Sequence, residues 1–391
     1  MGDIVSIIIK KIKHVRPEFI FYIFFGFYLL LMFSSNLALN LYEYHWFRRL
    51  NYLFSLICPV YYLINILWIK PQRFKILFIH LIFTAIFFIV SFNCGDFSIF
   101  NTWLLILCIS GMNMNKIAKF VLIFSIIYIF VIVCLSGLGI IENKLYPRYE
   151  GSMPVLARFS YGFANPNALA AFLFQIACCL VYLKWNHWNI MENFLILLLF
   201  WVIYSFLNCR TVSILIMLLL ILVNLCKYKL KDKSIIFLKY FSLFSLIFCP
   251  FFSFLTVILY GKANSSAALI SDLLSHRIRN LFFSLNYYDI SIFGNIYHRH
   301  KDFLIVDNPY GNIFIHFGVL VFILYMVLYL IAINYTIKFK NVPFLILLTV
   351  YLYYGIMEGY IINPYSNFTI FIFSIMFYNR NLLTSDKTEC M

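Results

Sequence analysis

Charged side chains are scarce in this sequence. Asp, Glu, Lys and Arg make up 12% of its 391 residues, whereas a soluble domain usually carries roughly 25%. Hydrophobic residues make up 64%, so the chain lacks the polar groups that a water-exposed surface requires. Lipid must therefore solvate much of the folded surface, which excludes a soluble enzyme.

Motifs for metal and nucleotide chemistry are also missing. The ten cysteines are scattered, mostly within apolar segments, and form no CxxC pair or Cys/His cluster with metal-ligand spacing. The sequence contains no phosphate-binding loop or dinucleotide motif. No cluster of Asp and Glu is typical of a divalent-cation site. The sequence therefore predicts a protein without a metal or any other cofactor.

The positive charge does not indicate a nucleic-acid partner. The formal net charge is +15, and basic proteins often bind phosphate backbones. Here, however, the basic residues lie between apolar runs and form no compact basic domain. We therefore expect the lipid bilayer, and no nucleic acid, as the partner of this surface.

About twelve apolar stretches are long enough to cross a bilayer, since a helical span needs about 20 residues. The predicted fold class is an all-α polytopic integral membrane protein, with residues 1–391 forming a single transmembrane domain. The predicted spans lie near residues 19–39, 51–69, 75–92, 97–112, 118–140, 165–183, 192–207, 211–226, 235–259, 310–336, 342–358 and 362–378.

The basic residues set the predicted orientation. With the N terminus in the cytoplasm, the inner segments collect most of the lysines and arginines, as the positive-inside rule requires. Both termini are then cytoplasmic. The inner bases are mostly Lys and the outer bases mostly Arg. Because guanidinium groups bind phosphate bidentately, this distribution indicates an anionic partner at the outer face. Lipid headgroups are the structural alternative.

Two of the predicted outer loops are long, at residues 141–164 and 260–309. The second is too long for a plain connection and is expected to be ordered. From Ser265 to Tyr288 its apolar residues recur at the spacing of an amphipathic helix. Such a helix would lie on the membrane surface or cover a cavity.

Polar residues of the predicted outer side begin with Arg158 and the motif Asn165–Asn167. Asn is a favourable N-cap and Pro fits a first helical turn, so this motif starts a span and presents backbone N–H groups that attract anions. A second group, Asn208–Thr211, forms a very short turn containing Arg210. An anionic partner explains an arginine so near the hydrocarbon better than topology does, although its side chain could also extend to the interface.

A third group combines the loop arginines Arg277 and Arg279 with the segment Asp307–Gly311. Asp-Asn-Pro is typical of a turn and an N-cap, which is the structural interpretation. The same residues place a carboxylate, the amide of Asn308 and the phenol of Tyr310 at the predicted membrane mouth. They are therefore candidates for substrate binding.

A single carboxylate, Glu358, lies near the outer end of an otherwise apolar predicted span. An ionisable group at such a position is a functional candidate, and a hydrogen bond between helices is the structural alternative. The loop histidines His276, His298 and His300 are further candidates for catalysis. Their structural alternative is simple solvation on the loop.

These motifs together resemble the bacterial O-antigen and capsular polysaccharide polymerases, the Wzy-type proteins of the O-antigen ligase/polymerase superfamily. The first 150 residues carry almost none of the signature. The matching residues are Arg158, Gly162 to Asn167, Arg210-Thr211, Asp307-Asn308, Tyr310, Gly318 and Glu358.

The resemblance implies an enzyme that joins oligosaccharide repeat units at the outer face of the plasma membrane. The donor glycan is carried on undecaprenyl diphosphate, and the acceptor is the non-reducing-end hydroxyl of a second lipid-linked unit. The reaction needs no metal or nucleotide. Chain-length regulator and flippase proteins are further expected partners.

The resemblance also implies roles for the candidate residues. Arginines would neutralise the diphosphate leaving group, and a carboxylate would orient or deprotonate the acceptor hydroxyl. The remaining polar groups would bind sugar or shape the mouth. The predicted catalytic residues are Arg210, Glu358 and Asp307, and the predicted substrate-binding residues are Arg158, Asn165, Asn167, Arg277, Arg279, Asn308 and Tyr310.

Two other functions fit the same sequence. An O-antigen ligase would use the same donor with lipid A core as acceptor and would rely on a loop histidine, which His298 or His300 could supply. A flippase or other transporter of lipid-linked glycans could also have about twelve spans. Transporters usually carry internal repeats and ionisable residues at the membrane midplane, whereas the polar residues here cluster on the predicted outer side.

Overall fold

A computed structural model describes most of the chain. The described residues are 17–39, 41, 44–47, 49–50, 53–54, 60, 74–109, 112–150, 153–273, 276–296 and 306–376. The predicted span at 51–69, apart from residues 53, 54 and 60, lies outside them. Both chain termini and the candidate residues His298 and His300 also lie outside the described residues.

Helices form nearly all of the described structure. In chain order they are α1 (Pro17–Ser35), α2 (Phe74–Cys94), α3 (Ser98–Cys108), α4 (Met114–Gly137), α5 (Pro166–Lys184), α6 (Ile190–Val202), α7 (Arg210–Asn224), α8 (Ser234–Gly261), α9 (Ser265–Leu273), α10 (Arg277–Tyr287), α11 (Pro309–Asn312), α12 (Gly318–Lys338) and α13 (Val342–Met357). π-Helical turns at Ile203–Leu207, Leu225–Leu230 and Ile313–Phe317 extend α6 and α7 and join α11 to α12, and 3-10 helices occupy Trp185–His187, Lys231–Lys233, Gly359–Ile362 and Phe368–Met376.

The all-α membrane class is confirmed at the level of helix length and composition. Within the described residues, 6 helical segments are long and apolar enough to cross a bilayer. They are Leu77–Cys94, Met114–Gly137, Pro166–His187, Ile190–Leu207, Arg210–Gly261 and Pro309–Lys338. Shorter apolar helices lie at Phe21–Ser35, Ser98–Cys108 and Val342–Met357. The larger number of about twelve spans remains a prediction.

The Arg210–Gly261 segment is two helices rather than one continuous rod. Lys231 has a positive φ of 42°, a backbone conformation that an α-helix does not contain. On either side of this break, α7 and α8 both pack against α13. The two predicted spans at 211–226 and 235–259 are therefore separate helices.

Two predicted spans differ from the observed elements. The stretch at 97–112 contains α3, whose 11 residues measure only about 16 Å. The stretch at 362–378 contains the 3-10 helix Phe368–Met376. Before it, the Asn367 side chain donates to the Ile361 carbonyl and accepts from the Thr369 N–H. These local bonds compete with a continuous α-helix.

The centre of the bundle is α13. Nearly every residue from Pro343 to Ile356 is buried, as expected for a helix that is apolar on all sides. It packs against α5, α7, α8, α11 and α12. Its 16 residues measure about 24 Å, and the helix ends at Met357. Glu358, which the sequence placed inside this span, lies just beyond the helix in an extended conformation.

The predicted loop at 141–164 contains an antiparallel hairpin, which forms the two-stranded sheet of the described residues. Its strands are β1 (Leu145–Glu150) and β2 (Met153–Phe159). Strand β2 lies beside the π-helical turn Ile203–Leu207 that precedes α7. The hairpin thus covers the end of the bundle at which α5, α7 and α11 begin and α13 ends. We call this end the site end.

The predicted amphipathic helix at 265–288 is observed as two helices, α9 and α10. They are separated at His276, whose φ of 64° is left-handed and cannot continue a helix. Helix α10 packs against α8 rather than lying only on a lipid surface. Ile278 and Leu281 join Val257 in a small apolar cluster, and the Tyr260 and Phe282 rings meet edge to face at 5.7 Å. Burial of this face fixes α10 across the site end.

Candidate functional site

A buried ion pair between Arg277 and Glu358 lies at the site end. Nη2 of Arg277 donates to Oε1 of Glu358 at 2.5 Å. The side chains are only 6% and 5% exposed, respectively. Arg277 is held there because it opens α10, whose apolar face packs on α8, and Glu358 because it follows the last residue of α13. The bond joins the loop helix to the central helix.

Asp307 is the second carboxylate that faces Arg277. Its Oδ2 lies 3.9 Å from Nε of Arg277, and its side chain is 47% exposed. This distance is longer than a hydrogen bond. The Nε and Nη1 groups of Arg277 are buried and have no hydrogen-bond partner. The guanidinium therefore hydrogen-bonds through one of its three nitrogens and leaves two buried nitrogens unpaired, of which Nε lies beside Asp307.

Thr211 brings the Arg210-Thr211 motif to the same carboxylate. Its hydroxyl donates to Oε1 of Glu358 at 3.3 Å. Arg210 is the first residue of α7, immediately before Thr211, and its side chain is exposed. The turn between α6 and α7 therefore places the exposed guanidinium of Arg210 one residue from Thr211, which donates a hydrogen bond to Glu358.

The Asn165–Asn167 motif is linked to the same turn. The thiol of Cys209 donates to Oδ1 of Asn167 at 3.2 Å. Asn165 caps α5 by accepting the Ala168 N–H at 2.8 Å, which confirms the N-cap prediction. The starts of α5 and α7 are thus adjacent at the site end.

Arg158 lies in β2, opposite Tyr146 of β1. Its side chain is partly buried, and its Nε has no hydrogen-bond partner. Tyr146 donates its hydroxyl to the Ala164 carbonyl, next to the α5 cap. The hairpin therefore holds Arg158 at the site end, on the side of α5 and the turn before α7.

Asn308 and Tyr310 have structural partners in this conformation. Asn308 caps α11 by accepting the Gly311 N–H at 3.0 Å, and its amide donates to Ser253 and to the Ile356 carbonyl. Tyr310, expected at the mouth, is buried and donates its hydroxyl to the Leu352 carbonyl at 2.7 Å. The first turn of α11 packs against α13, so these groups stabilise the site end, and their contact with substrate stays a prediction.

Other loop residues lie outside the central cluster. The side chain of Arg279 is exposed, and its backbone N–H donates to the Ser271 hydroxyl. His276 forms an exposed pair with Asp272, with 3.1 Å between Nδ1 and Oδ1. Neither side chain contacts the Arg277–Glu358 pair among the described contacts.

Burial and neighbouring charges shift the pKa values of Arg277 and Glu358. Burial would lower the pKa of Arg277, but the carboxylates of Glu358 and Asp307 outweigh it and raise this pKa. Burial raises the pKa of the Glu358 carboxyl, and the Arg277 guanidinium opposes that shift. The pair therefore keeps Arg277 charged and makes Glu358 dependent on it for ionisation.

A second polar cluster was missed by sequence reasoning. Nε2 of His316 lies 3.7 Å from Oδ2 of Asp96, and its Nδ1 is 2.9 Å from the Asn295 carbonyl. The Cys94 thiol donates to the His316 carbonyl at 2.7 Å. The pair joins the α2–α3 connection to the π-helical turn before α12. A signal was present, since Asp96 separates two apolar runs and His316 interrupts a third.

Within the described residues, no group of three or more His, Cys, Asp and Glu side chains could hold a metal ion. The polar groups brought together at the site end are instead a guanidinium, two carboxylates and a hydroxyl, with Arg158 and Arg210 at its edges. Such a set can bind an anion and accept a proton. No protein-family model, curated protein or solved structure matches the chain.

Proposed function

We propose that this protein is a bacterial polysaccharide polymerase of the Wzy type. It joins undecaprenyl-diphosphate-linked oligosaccharide repeat units into O-antigen or capsular polysaccharide at the outer face of the plasma membrane. One observation carries the proposal: Oε1 of Glu358 accepts hydrogen bonds from both Arg277 and Thr211. These three residues are far apart in the sequence, and Thr211 and Glu358 belong to motifs on which the resemblance rests.

The chemistry of such a transfer matches the groups at the site end. The leaving group is a diphosphate, and guanidinium groups bind its oxygens bidentately and neutralise its charge. Arg277 supplies one guanidinium with two unpaired nitrogens, and Arg158 and Arg210 lie on neighbouring elements. The acceptor is a hydroxyl, and Glu358 and Asp307 are the carboxylates that can orient it or take its proton.

The proposal includes a topology. About twelve spans cross the plasma membrane, with both termini cytoplasmic, so that the site end faces outward. In support, the hairpin lies beside the turn before α7, the loop helix α10 bonds Glu358 through Arg277, and the distribution of Lys and Arg predicts that all of these segments are outside. The lipid-linked substrates would reach this end from the outer leaflet.

The first test is genetic. The gene is deleted in its native host and restored, and the surface glycans are separated on a polysaccharide gel. For the polymerase, deletion leaves single repeat units and restoration returns the ladder. Polymer that stays on the lipid carrier, with none on lipid A core, would instead indicate a ligase. Loss of all outer lipid-linked glycan would indicate a flippase.

The second test uses a matched pair of variants in the restored strain. Arg210→Ala is expected to reduce polymerisation by about 100-fold or more, as for loss of one charge-stabilising donor. Because Arg210 is exposed, its removal should leave folding and membrane insertion intact. Lys262→Ala removes another exposed positive charge from the end of α8 and should leave the ladder unchanged. Normal polymer in Arg210→Ala would remove this residue from the mechanism.

A further inference from the structure

We propose that Arg277 exchanges partners during the reaction. The donor diphosphate draws the guanidinium away from Glu358, and the released carboxylate then takes the proton of the acceptor hydroxyl. This inference rests on the proposed function and adds how the same site is regulated: the base becomes strong only when the donor is bound.

The unpaired nitrogens of Arg277 are the first observation behind this inference. Nη2 is engaged by Glu358, but the buried Nε and Nη1 have no hydrogen-bond partner. Buried polar groups normally find partners, so these two N–H groups on a side chain that is 6% exposed indicate a ligand. A guanidinium binds two phosphate oxygens either through Nε and Nη2 or through Nη1 and Nη2, so a phosphate bound in this way needs Nη2 and must displace Glu358. Nε faces Asp307, whose half-exposed carboxylate can turn toward water to admit the anion.

Competition among anions determines what happens next. Glu358 and Asp307 already face the one guanidinium at 2.5 and 3.9 Å. A diphosphate adds further negative charge, and Arg277 cannot remain equally close to all three. Because the diphosphate offers more charge and more acceptor atoms than a carboxylate does, it is the stronger competitor for the guanidinium.

The consequence for Glu358 follows from its surroundings. Among the residues that the structure describes, the polar groups that face the pair apart from Arg277 of α10 are the Thr211 hydroxyl of α7, the Asp307 carboxylate and the Tyr354 phenol of α13. None of these carries a positive charge. Burial and the like charge of Asp307 then both favour the protonated form of Glu358, so departure of the guanidinium makes its carboxylate a stronger base.

The position of Arg277 allows such an exchange. It is the first residue of α10 and follows the left-handed His276, where α9 and α10 separate. The apolar contacts that hold α10 on α8 come from Ile278 and Leu281. The guanidinium can therefore move while the helix stays in place.

The proposed step is balanced in atoms and charge. The bond between the sugar anomeric carbon and the diphosphate oxygen breaks, and the diphosphate leaves with the electron pair. The acceptor oxygen forms the new glycosidic bond and gives its proton to Glu358. Arg277 holds the diphosphate until it departs and then returns to Glu358, which releases the proton to water.

Calorimetry tests the exchange directly. Farnesyl diphosphate is titrated into the purified protein in lipid nanodiscs at pH 7, in two buffers with different ionisation enthalpies. Because no acceptor hydroxyl is present in this titration, the released Glu358 carboxylate takes its proton from water, and the wild type should take up about one proton per diphosphate bound. Glu358→Gln should bind the diphosphate about tenfold more tightly and without proton uptake, because a neutral amide competes less for the guanidinium. Asp272→Asn is the matched control, which removes an exposed carboxylate of the same loop and should retain the uptake.

Infrared spectroscopy on the wild type supplies a measurement that needs no variant to fold. The carbonyl stretch of a protonated carboxyl group should grow when farnesyl diphosphate is added. Binding without proton uptake, or equal uptake in Glu358→Gln, would overturn the partner exchange and leave the proposed function intact. If the folded wild type binds no farnesyl diphosphate, the diphosphate site itself is wrong and the proposed function fails with it.

Discussion

Substitution of Arg277 by Met tests whether the site end depends on a buried charge pair. Both partners are nearly inaccessible, with side chains 6% and 5% exposed. Removing one member of such a pair leaves an uncompensated buried charge and typically costs about 3–5 kcal/mol of unfolding free energy. Arg277→Met should therefore be strongly destabilised, since the Glu358 carboxylate would keep only the Thr211 hydroxyl as a donor.

Variants of Glu358 provide the comparison for the stability loss in Arg277→Met. Glu358→Gln should cost less than Arg277→Met, because Arg277 would still face Asp307 at 3.9 Å. The double variant Arg277→Met/Glu358→Gln should be more stable than Arg277→Met alone. The coupling between the two substitutions is expected to be about 2–3 kcal/mol, at the upper end of values for residues in direct contact.

The pH dependence of Arg277→Met has a definite sign. Without the guanidinium, burial raises the pKa of Glu358 in the folded state. The folded state then binds a proton that the unfolded state has released, so stability is highest at low pH and is lost as the pH rises. The slope reaches up to about 1.4 kcal/mol per pH unit for one proton. The wild type should be less sensitive, because Arg277 holds the carboxylate ionised.

Thermal unfolding in one detergent, at pH 5 and at pH 8, measures all of these variants. The expected order of midpoints at pH 8 is wild type, then Glu358→Gln and the double variant, then Arg277→Met. The deficit of Arg277→Met should narrow at pH 5. If Arg277→Met has the midpoint of the wild type at both pH values, the buried ion pair does not exist in solution and the reasoning is refuted.

Three further predictions concern the surroundings of the site. Gly294 has a φ of +85°, and an added Cβ would overlap the His316 carbonyl; Gly294→Ala should therefore lower the thermal midpoint, with the left-handed backbone alone costing about 1–2 kcal/mol. Tyr310→Phe removes the bond to the Leu352 carbonyl and should cost about 1 kcal/mol while polymer length stays normal; a shortened polymer would assign the phenol to substrate. Burial would raise the pKa of Asp96, but hydrogen bonding, chiefly with His316, lowers it to about 2. The resulting stabilisation of about 2 kcal/mol is present in full above pH 4 and is lost as the pH falls through 2. The difference in midpoint between wild type and Asp96→Asn should therefore be clearly smaller at pH 3 than at pH 6.

Local features were predictable because they depend on neighbours in the chain. The N-caps at Asn165 and Asn308 each accept an N–H three residues on, a contact that sequence spacing alone specifies. The 6 long apolar helical segments of the described residues overlap predicted spans for the same reason, since a run of apolar residues needs only its own backbone hydrogen bonds to cross lipid.

The structure departs from the sequence-based predictions where packing between helices outweighs local sequence preferences. The loop helix divides at His276, although its apolar spacing continues past that residue. Tyr310 was expected at the mouth but packs into the core, because the first turn of α11 lies against α13. The Asp96–His316 pair was missed, since each residue marks only its own apolar region of the chain and neither belongs to a recognised motif.

The sequence by itself determined that the chain is a helical protein for a lipid environment, where α5 and α11 start, and which polar residues are candidates for chemistry. Tertiary structure alone decided which candidates meet. Arg277 and Glu358 are 81 residues apart, and Thr211 and Glu358 are 147 apart. Their contact depends on how α7, α8 and α10 pack around α13, and packing reflects the shapes of whole helix faces, which no short motif encodes.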